Sequence, residues 1–290
     1  MKGIILAGGN GSRLFPNTKV SSKHLLPVYD KPLIYYSLSI LVLSNIYDIC
    51  VITTEESVSH YKKLLNNLKF LGLKLTFLIQ KKPKGIPEAF KLAKKFIGKE
   101  DVCLILGDNF LYGAGLQDLL LKAKEQCIRN KKAFCFTYKV KNPCDYGVLT
   151  FNKNNEVISI EEKPSKPKSD NAIIGLYYFP NSVIKEVGKI KMSLRGELEI
   201  IDLLKIFLKK NKFIFRDLGR GIAWFDTGTA KSLIDASNFV YTIQERQGYK
   251  IACIEEIALK EKLINKHNLK SILKLYPNSE YKKYLIELCH

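Results

Sequence analysis

Hydrophobic positions in the first 130 residues follow two alternating patterns. Short runs of consecutive apolar residues, such as Val102–Leu106, are typical of strands that are buried on both faces. The stretches between these runs place apolar residues three or four positions apart, which is typical of amphipathic helices. The predicted strands are residues 2–7, 49–53, 73–79 and 102–106, and the predicted helices are residues 32–43, 55–68, 87–96 and 116–128.

The second half of the chain is richer in strands. Further strands are predicted over 133–140, 147–151, 157–161 and 173–179, helices over 197–209 and 229–244, and mostly helix after residue 250. Because strand and helix alternate in the first half, we predict a Rossmann-like, doubly wound α/β fold with a mostly parallel sheet and helices on both faces. A smaller β region and a C-terminal helical appendage complete it. The predicted core is 1–245, in two halves that meet near residue 130, and the appendage is 246–290.

Composition narrows the class of protein. The chain has 290 residues, 46% of them hydrophobic, with seven scattered cysteines and no Cys-x-x-Cys pair. We therefore expect reduced, mostly buried thiols rather than a disulfide or zinc scaffold. No apolar run is long enough to cross a membrane and the first residues do not resemble a signal peptide, so we expect a cytoplasmic protein with no membrane partner.

The formal net charge of +19 indicates an anionic partner. The lysines are spread along the whole chain, and no zinc finger or RNA-recognition signature accompanies them. We therefore expect phosphorylated small molecules rather than nucleic acid, with many of the lysines simply solvated on helix faces.

A glycine-rich turn follows the first predicted strand and is the first candidate binding motif. It contains Gly8, Gly9, Gly11, Ser12 and Arg13 around Asn10. Glycines let backbone N–H groups converge on a phosphate. A P-loop is excluded because no Lys-Ser/Thr pair ends the turn, and the dinucleotide fingerprint is broken because Leu14 occupies its last glycine position.

Arg13 is the informative residue of this turn. A bidentate, permanently charged guanidinium beside a glycine nest suits the outer phosphates of a nucleoside triphosphate. Lys23 lies ten residues further on and could add a second charge. Any single lysine in so basic a chain could equally be solvated. The assignment of Lys23 as a phosphate-binding residue therefore depends on the motif around it.

Two aspartates are candidate ligands for Mg²⁺. Asp108 follows the strand Val102–Leu106, at the carboxyl edge where ligands bind in open α/β sheets. Asp226 lies between a predicted strand and a predicted helix. Magnesium prefers carboxylate oxygens, although each aspartate could also be an ordinary turn former or helix cap.

The stretch 1–36 resembles the glucose-1-phosphate thymidylyltransferase family, within the sugar-phosphate nucleotidyltransferases. The resemblance lies in LAGGNGSRL at 6–14 and in KHLLPVYDKPLIYY at 23–36. Ser12 replaces the usual threonine, Leu33 a methionine, and Ser37 a common proline. The resemblance implies Mg²⁺-assisted transfer of a thymidylyl group from dTTP to glucose 1-phosphate, giving dTDP-glucose for dTDP-rhamnose or related deoxysugar synthesis.

Matching motifs continue in order to about residue 260, and each implies a role. Gln80 and Gly85 lie near the base, although Pro87 departs from the family's alanine. Asp108 and Asp226 carry the magnesium. Arg13, Lys23, Lys163 and Arg195 are the catalytic cations, so 1–130 becomes the nucleotide half and 131–245 the sugar-phosphate half. The residues implied to bind the sugar phosphate are Tyr146, Gly147, Glu162, Lys163, Arg195 and Trp224.

The segment 246–258 resembles the long form of the same family, in which this region forms a second, regulatory nucleotide site in a homotetramer. Arg220, Lys250 and Glu256 would then bind an inhibitory dTDP-sugar. Lys260 stands where an arginine is usual and Ile254 replaces a proline.

Two alternatives to the thymidylyltransferase remain open. The first is the same fold with another base or sugar, such as a uridylyltransferase, because Gln80 could pair with thymine or uracil alike. The second is a nucleotide-sensing or nucleic-acid-binding protein, which the presence of both aspartates and all four cations disfavours.

Overall fold

The computed structural model describes residues 1–9, 11–154 and 156–290. The strands are β1 (Lys2–Leu6), β2 (Pro27–Val28), β3 (Lys31–Pro32), β4 (Asp48–Thr53), β5 (Lys74–Ile79), β6 (Val102–Leu106), β7 (Asn109–Gly113), β8 (Ala133–Lys139), β9 (Gly147–Phe151), β10 (Val157–Glu162), β11 (Asn171–Phe179), β12 (Phe213–Asp217) and β13 (Ile222–Asp226). The helices are α1 (Ile34–Leu43), α2 (Val58–Leu65), α3 (Glu88–Leu92), α4 (Lys94–Ile97), α5 (Leu116–Asn130), α6 (Val183–Glu186), α7 (Ile200–Lys209), α8 (Ala230–Gln247), α9 (Ile254–Lys260), α10 (Lys266–Leu273) and α11 (Glu280–Glu287).

The first half of the chain forms a parallel sheet in the order β5-β4-β1-β6. The chain begins in the middle of this order and moves outward before it returns, which is the doubly wound arrangement. These strands are nearly continuous apolar runs because both faces are covered. The predicted α/β fold is confirmed, and the carboxyl ends of the four strands share one edge where ligands are expected.

Strand β11 joins the second half to this sheet. It pairs antiparallel with β6, β8 and β9, while β10 extends the sheet beyond β9 and β12 pairs parallel with β8. The predicted smaller β region is therefore continuous with the main sheet, giving nine strands in all among the described residues. Its antiparallel pairs place the β9–β10 hairpin beside the carboxyl edge of the parallel strands.

Strands β7 and β13 form a separate two-stranded ribbon. Its antiparallel register pairs Asn109 with Asp226. Strand β7 was not predicted, because it begins directly after a Gly-Asp pair that is typical of a turn. The ribbon matters for function because it brings the residues around Asp108 next to those around Asp226.

Apolar side chains cover both faces of the sheet. One cluster contains Ile5, Val51, most buried apolar residues of α1 and the buried residues of α5, and a second contains Ile4, Leu104 and the buried residues of α7. The C-terminal helices belong to the first cluster through residues such as Ile254. Helix α8 runs across the predicted boundary at 245, so the division into core and appendage stays a prediction.

Several helices differ from their predicted bounds. Helix α1 begins at Ile34 rather than Pro32, because Pro32 is paired in the β2–β3 hairpin. The predicted helix 55–68 is α2 followed by a 3-10 turn at Asn66–Leu71, and the predicted helix 87–96 is broken at Ala93. Helix α7 begins at Ile200 rather than 197, because Leu198 forms a β-bridge with Met192.

Two of the expectations from composition can be checked. Six of the seven cysteines are buried, Cys144 is exposed, and all seven are free thiols. Where the chain is described, no helix is both long and apolar enough to cross a membrane.

Candidate active site

A cavity of about 530 Å³ is lined by residues from both predicted halves of the chain. Its walls come from the ends of β6, β9, β10 and β13 and from the loop before α7. Nine of the predicted site residues line it: Arg13, Asp108, Tyr146, Gly147, Glu162, Lys163, Arg195, Trp224 and Asp226. The remaining predicted residues of the nucleotide side lie outside its wall: Gly8, Gly9, Gly11, Ser12, Lys23, Gln80 and Gly85.

Asp108 is held ionised by its neighbours. Burial alone would raise the pKa of its carboxyl, but the Lys23 ammonium, the nearby His24 and a hydrogen bond from Asn109 Nδ2 lower that pKa to about 2. Lys23 forms an ion pair with Asp108 Oδ2. Lys23 is therefore placed beside the candidate metal ligand, which sequence alone could not establish for one lysine among many.

Asp226 has the opposite electrostatic environment. Burial and the negative charge of Asp108 raise its pKa to about 6, against the opposing effect of Lys23 and Arg13. The two aspartates are brought together by Thr227, whose Oγ1 donates a hydrogen bond to the Asp108 carbonyl over 2.9 Å. Paired carboxylates with pKa values pushed apart are typical of functional sites.

The donor set suits a hard divalent cation. Among the residues that the structure describes, no three His, Cys, Asp or Glu side chains form a metal cluster. Magnesium sites on nucleotides commonly use only one or two carboxylates, with phosphate oxygens and water completing the octahedron. Asp108 and Asp226 therefore fit Mg²⁺ bound together with a triphosphate better than a dedicated all-protein metal site.

Asn109 organises the centre of the cavity and was not singled out by the sequence. Its Oδ1 accepts hydrogen bonds from Trp224 Nε1 (2.7 Å) and from the Gly175 amide (3.0 Å), while its Nδ2 donates to Asp108. A Cβ at position 175 would overlap Asn109 Nδ2, so Gly175 makes this contact sterically possible. In the sequence, the one signal that could have identified Asn109 as a site residue is its position directly after Asp108.

The β9–β10 hairpin contributes to the wall of this cavity. The register pairs Gly147 with Glu162, and a Cβ at position 147 would collide with Ile201. Tyr146 packs edge-on against Trp224, with ring centroids 5.3 Å apart. Burial and Asp226 raise the pKa of Tyr146 to about 12, so its hydroxyl is a neutral hydrogen-bonding group.

Lys163 and Arg195 supply positive charge to the same wall. Lys163 has a left-handed backbone with φ 42, a conformation that costs energy for a non-glycine residue and that clusters at functional sites. Arg195 Nε lies 3.3 Å from Glu199 Oε1, and its Nη1 lies 3.8 Å from Glu162. Burial and the negative charge of Glu199 raise the pKa of Glu162, against Arg195 and Lys163.

The glycine turn has the backbone that its sequence predicts. Gly9 and Gly11 have positive φ values of 123° and 57°, which residues with a side chain rarely adopt. Ser12 and Arg13 are exposed, and the Arg13 guanidinium approaches the Gly228 backbone beside Asp226. Asn10 lies outside the described residues. The turn thus places Arg13 beside Asp226.

Gln80 and Gly85 lie next to this turn. Gln80 follows β5 and is 5% exposed, and its Oε1 occupies the space where a Cβ of residue 8 would project. Gly85 has φ 95 and packs against the Leu198 backbone, whose amide donates to the Lys84 carbonyl over 2.9 Å. The predicted base-contacting segment is therefore joined to the loop that carries Arg195.

Pro87 fits its position without distortion. It is the N-cap residue of α3, with φ −63, close to the value fixed by the proline ring. The following Glu88 accepts a 2.6 Å hydrogen bond from Gln80 Nε2. Sequence reasoning overlooked Glu88, although it stands where the family pattern has glutamine.

A second cavity of about 450 Å³ lies between β7, the start of α5 and α9. Lys250 and Glu256 line it, together with Tyr112, Tyr249 and Lys260. Arg220, the third predicted regulatory residue, is exposed in the turn before β13 and is not among the lining residues. The structure therefore brings two of the three predicted regulatory residues to one cavity.

The fold and the paired aspartates facing four cations define the class of protein as a nucleotidyltransferase. Residues 2–243 match the family model described as "Nucleotidyl transferase". The chain belongs to this nucleotidyl transferase family.

Named relatives match over almost the whole chain. A glucose-1-phosphate thymidylyltransferase of Neisseria meningitidis is 45% identical over 288 residues, covering 99% of each chain. Those of Xanthomonas campestris and Mycobacterium tuberculosis are 43% and 42% identical, with 99% of this chain covered and 96% and 99% of theirs. All three carry the same enzyme name.

Solved structures agree with the fold. A candidate glucose-1-phosphate thymidylyltransferase from Bacillus anthracis, crystallised with sucrose, has a TM-score of 0.75 and 36% identity, covering 82% of this chain and 94% of its own. A UDP-glucose pyrophosphorylase in complex with UDP-glucose has a TM-score of 0.73 and 23% identity, covering 83% of this chain and 98% of its own. At that identity the second likeness concerns the fold alone.

Proposed function

We propose that this protein transfers a thymidylyl group from dTTP to glucose 1-phosphate, with Mg²⁺, to give dTDP-glucose and pyrophosphate. The observation that carries the proposal is the convergence on one cavity of Arg13, Lys163 and Arg195 with the pair Asp108 and Asp226. These residues come from five distant segments of the chain. The shared name of the relatives supports the choice of substrates.

On the nucleotide side, Arg13 and Lys23 bind the triphosphate and the leaving pyrophosphate. Arg13 is placed by the glycine turn, and Lys23 by its ion pair with Asp108. Asp108 and Asp226 would hold Mg²⁺, which when bound neutralises charge on the phosphate oxygens. The backbone amides of the turn add further donors.

On the sugar side, Lys163 and Arg195 bind the phosphate of glucose 1-phosphate. Tyr146, Gly147, Glu162 and Trp224 surround the space left for the hexose. The carboxylates that now contact Arg195 belong to Glu162, Glu197 and Glu199. They hold its guanidinium at the wall of the cavity, where a phosphate would offer a bidentate partner.

The chemistry requires positioning and charge neutralisation rather than a general base. A phosphate oxygen of glucose 1-phosphate, already ionised, attacks the α-phosphorus of dTTP. The new oxygen–phosphorus bond forms as the bond between the α-phosphorus and the bridging oxygen breaks, and pyrophosphate takes the electron pair. The four cations offset charge that would otherwise keep two anions apart.

The test is a matrix of substrates. Glucose 1-phosphate is offered with dTTP, UTP, dCTP, dATP and dGTP in the presence of Mg²⁺, and pyrophosphate and sugar nucleotide are both measured. Efficient release with dTTP and formation of dTDP-glucose are expected. Preference for UTP would replace the proposal by a uridylyltransferase. No product with any pair would favour a nucleotide-sensing or nucleic-acid-binding protein.

We infer separately that the second cavity binds a dTDP-sugar as an inhibitor, in a homotetramer. Lys250, Glu256 and Lys260 on its wall support this, because lysines suit a diphosphate and carboxylates suit sugar hydroxyls. Inhibition by dTDP-rhamnose that is not competitive with either substrate is expected. Light scattering of the purified protein tests the tetramer independently.

A further inference from the structure

We propose that Asp30 competes with an anionic ligand of the second cavity for the ammonium group of Lys250, and that this competition transmits occupancy of the cavity to the segment that carries Lys23. The inference rests on the proposed function, in which a dTDP-sugar binds this cavity as an inhibitor. It adds which contact the ligand must displace and how its presence reaches the active site.

Lys250 is shared between the second cavity and Asp30. It lines the cavity, whereas Asp30 is not among the lining residues. Lys250 Nζ lies 3.1 Å from Asp30 Oδ2, and each of the two side chains is only 18% exposed. The same ammonium lies over the rings of Tyr281 and Tyr284, 6.0 and 5.8 Å from their centroids. A diphosphate in the cavity would therefore compete with Asp30 for Lys250 without contacting Asp30 itself.

Asp30 keeps other partners when Lys250 leaves it. Its Oδ1 accepts a 2.6 Å hydrogen bond from Lys31 Nζ, and its Oδ2 accepts one of 3.1 Å from Gln244 Nε2. Burial alone would raise the pKa of Asp30, but Lys31, Gln244 and Lys250 together lower that pKa below its usual value. A buried charge left with no partner is costly. Because Lys31 is only 3% exposed and stays with Asp30, Lys250 is the partner that can exchange.

Asp30 lies in the turn of the β2–β3 hairpin, which is joined directly to the Lys23 segment. The Leu26 amide, just before β2, donates to the Lys23 carbonyl over 3.1 Å. The Leu33 amide, just after β3, donates to the Leu26 carbonyl over 2.9 Å. A change in the contacts of the turn would therefore act through the hairpin on Lys23, the ion-pair partner of Asp108.

The same turn is bonded to α8, the helix that follows Asp226 along the chain. The Tyr29 amide donates to Ser237 Oγ over 3.2 Å, and Gln244 near the end of α8 donates to Asp30. The turn is therefore a joint between the segment that carries the nucleotide-side lysine and the helix next to the second aspartate. Loss of one of its contacts alters how both are held.

The experiment is a double-mutant cycle on Asp30 and Lys250. Binding of dTDP-rhamnose to wild type, Asp30→Asn, Lys250→Met and the double variant is measured by calorimetry, and the binding event that Lys250→Met weakens is assigned to the second cavity. Asp30→Asn should tighten this event about tenfold, because a competing charge-assisted contact is removed. In the Lys250→Met background the same change should alter affinity by less than about twofold.

Inhibition should change in the opposite direction from binding. At saturating dTDP-rhamnose, Asp30→Asn should retain about tenfold more of its uninhibited activity than wild type, because the carboxylate that responds to the departure of Lys250 is gone. A merely structural role for Asp30 would weaken binding and activity together. Asp235→Asn, whose ion pair with Lys231 lies outside both cavities, is the matched control and should leave binding and inhibition unchanged.

Two results would overturn the proposal. Unchanged or weaker binding in Asp30→Asn would show that Asp30 does not compete for Lys250. Equal tightening in the Lys250→Met background would show that Asp30 acts through its long-range field rather than through Lys250. Because Asp30→Asn leaves the buried Lys31 without its carboxylate, Asp30→Asn combined with Lys31→Met repeats the measurement if the single variant does not fold.

The same data separate this inference from the proposed function. If Lys250→Met leaves all binding of dTDP-rhamnose unchanged, both the proposed regulatory site and this inference fail. If Lys250→Met weakens binding but Asp30→Asn has no effect, this inference alone fails. Because binding is measured without turnover, a preference for UTP over dTTP would correct the proposed transferase reaction and leave this inference standing.

Discussion

The two cavities contain similar residue types but differ in how their charges are held. In the first, Asp226 lies beside another carboxylate and Glu162 lies beside Glu199. In the second, Glu256 is paired with Lys260 one helical turn away over 2.7 Å and accepts a 2.6 Å hydrogen bond from Tyr284.

This difference separates evidence of function from evidence of stability. Like charges placed together cost folding energy, and they cluster at functional sites. A pair between residues four apart on a helix is common and needs no function to explain it. The like charges of the first cavity are therefore themselves evidence that it is a functional site. A functional role for the second cavity requires a test of binding.

The largest effect is expected at the aspartate pair. Asp108→Asn and Asp226→Asn should each lower kcat by about 100- to 1000-fold, the range for loss of one group that stabilises transition-state charge. Steady-state kinetics at saturating Mg²⁺ measures this, with a melting curve to confirm folding. Asp235→Asn on α8, whose partner Lys231 is exposed, is the control. Turnover near that of wild type in either site variant would contradict the assignment.

Lys163 should affect one substrate selectively. Lys163→Met is expected to lower kcat/KM for glucose 1-phosphate by about 100-fold, while the KM for dTTP changes little. Lys166→Met removes another exposed lysine three residues further along the same loop and should leave both values unchanged. Equal damage to the two substrates would show that Lys163 does not belong to the sugar side.

Mg²⁺ affinity should depend on pH through Asp226. Its pKa is raised to about 6 by burial and by Asp108, so it is ionised at pH 8 and largely protonated at pH 5. A metal ligand must lose its proton. The apparent affinity for Mg²⁺ in the presence of dTTP should therefore be constant above pH 7 and fall by about tenfold per pH unit below 6.

Calorimetric titration of Mg²⁺ into the protein–dTTP mixture at several pH values tests this dependence. The nucleotide's own titration is corrected with Asp226→Asn, which should lack the protein's share of the pH effect. An affinity that rises as pH falls, or the same slope in the variant, would contradict the electrostatic account of Asp226.

The smallest effect on turnover is expected in the second cavity. Lys260→Ala should leave kcat and both KM values within about twofold of wild type, since it removes a side chain that is 71% exposed. It should weaken inhibition by a dTDP-sugar about tenfold, the loss of one charge-assisted contact. Unchanged inhibition would contradict a regulatory role for this cavity.

The sequence predicts those strands and helices whose hydrophobic pattern and bounding turn residues lie within the element itself. Strands β6 and β9 have their predicted bounds, and β1 and β4 agree within one residue, because their apolar runs are bounded by turn residues. Strand β7 was missed because turn formers precede it, and the break at Ala93 has no marker in the sequence. The order of strands in the second half depends on long-range pairing that no local pattern encodes.

The candidate site was predicted unevenly for the same reason. Asp108 and Asp226 could be selected by position, but their unequal pKa values depend on the burial of both carboxyls and on the placement of Lys23 beside Asp108. The position of Asn109 at the centre of a network depends on hydrogen bonds from Trp224 and Gly175, which are distant in sequence. Residue type alone does not distinguish a polar group at the centre of a network from a solvated one.

We propose that the first cavity promotes direct attack of the sugar phosphate on the α-phosphorus, with no covalent enzyme intermediate. The most direct measurement uses the α-thio analogue of dTTP with one defined configuration at phosphorus, glucose 1-phosphate and Mg²⁺, and determines the configuration of the thiophosphate in the sugar nucleotide formed. A single displacement predicts inversion. Retention of configuration would require two displacements through a nucleophilic side chain, and it would contradict the account.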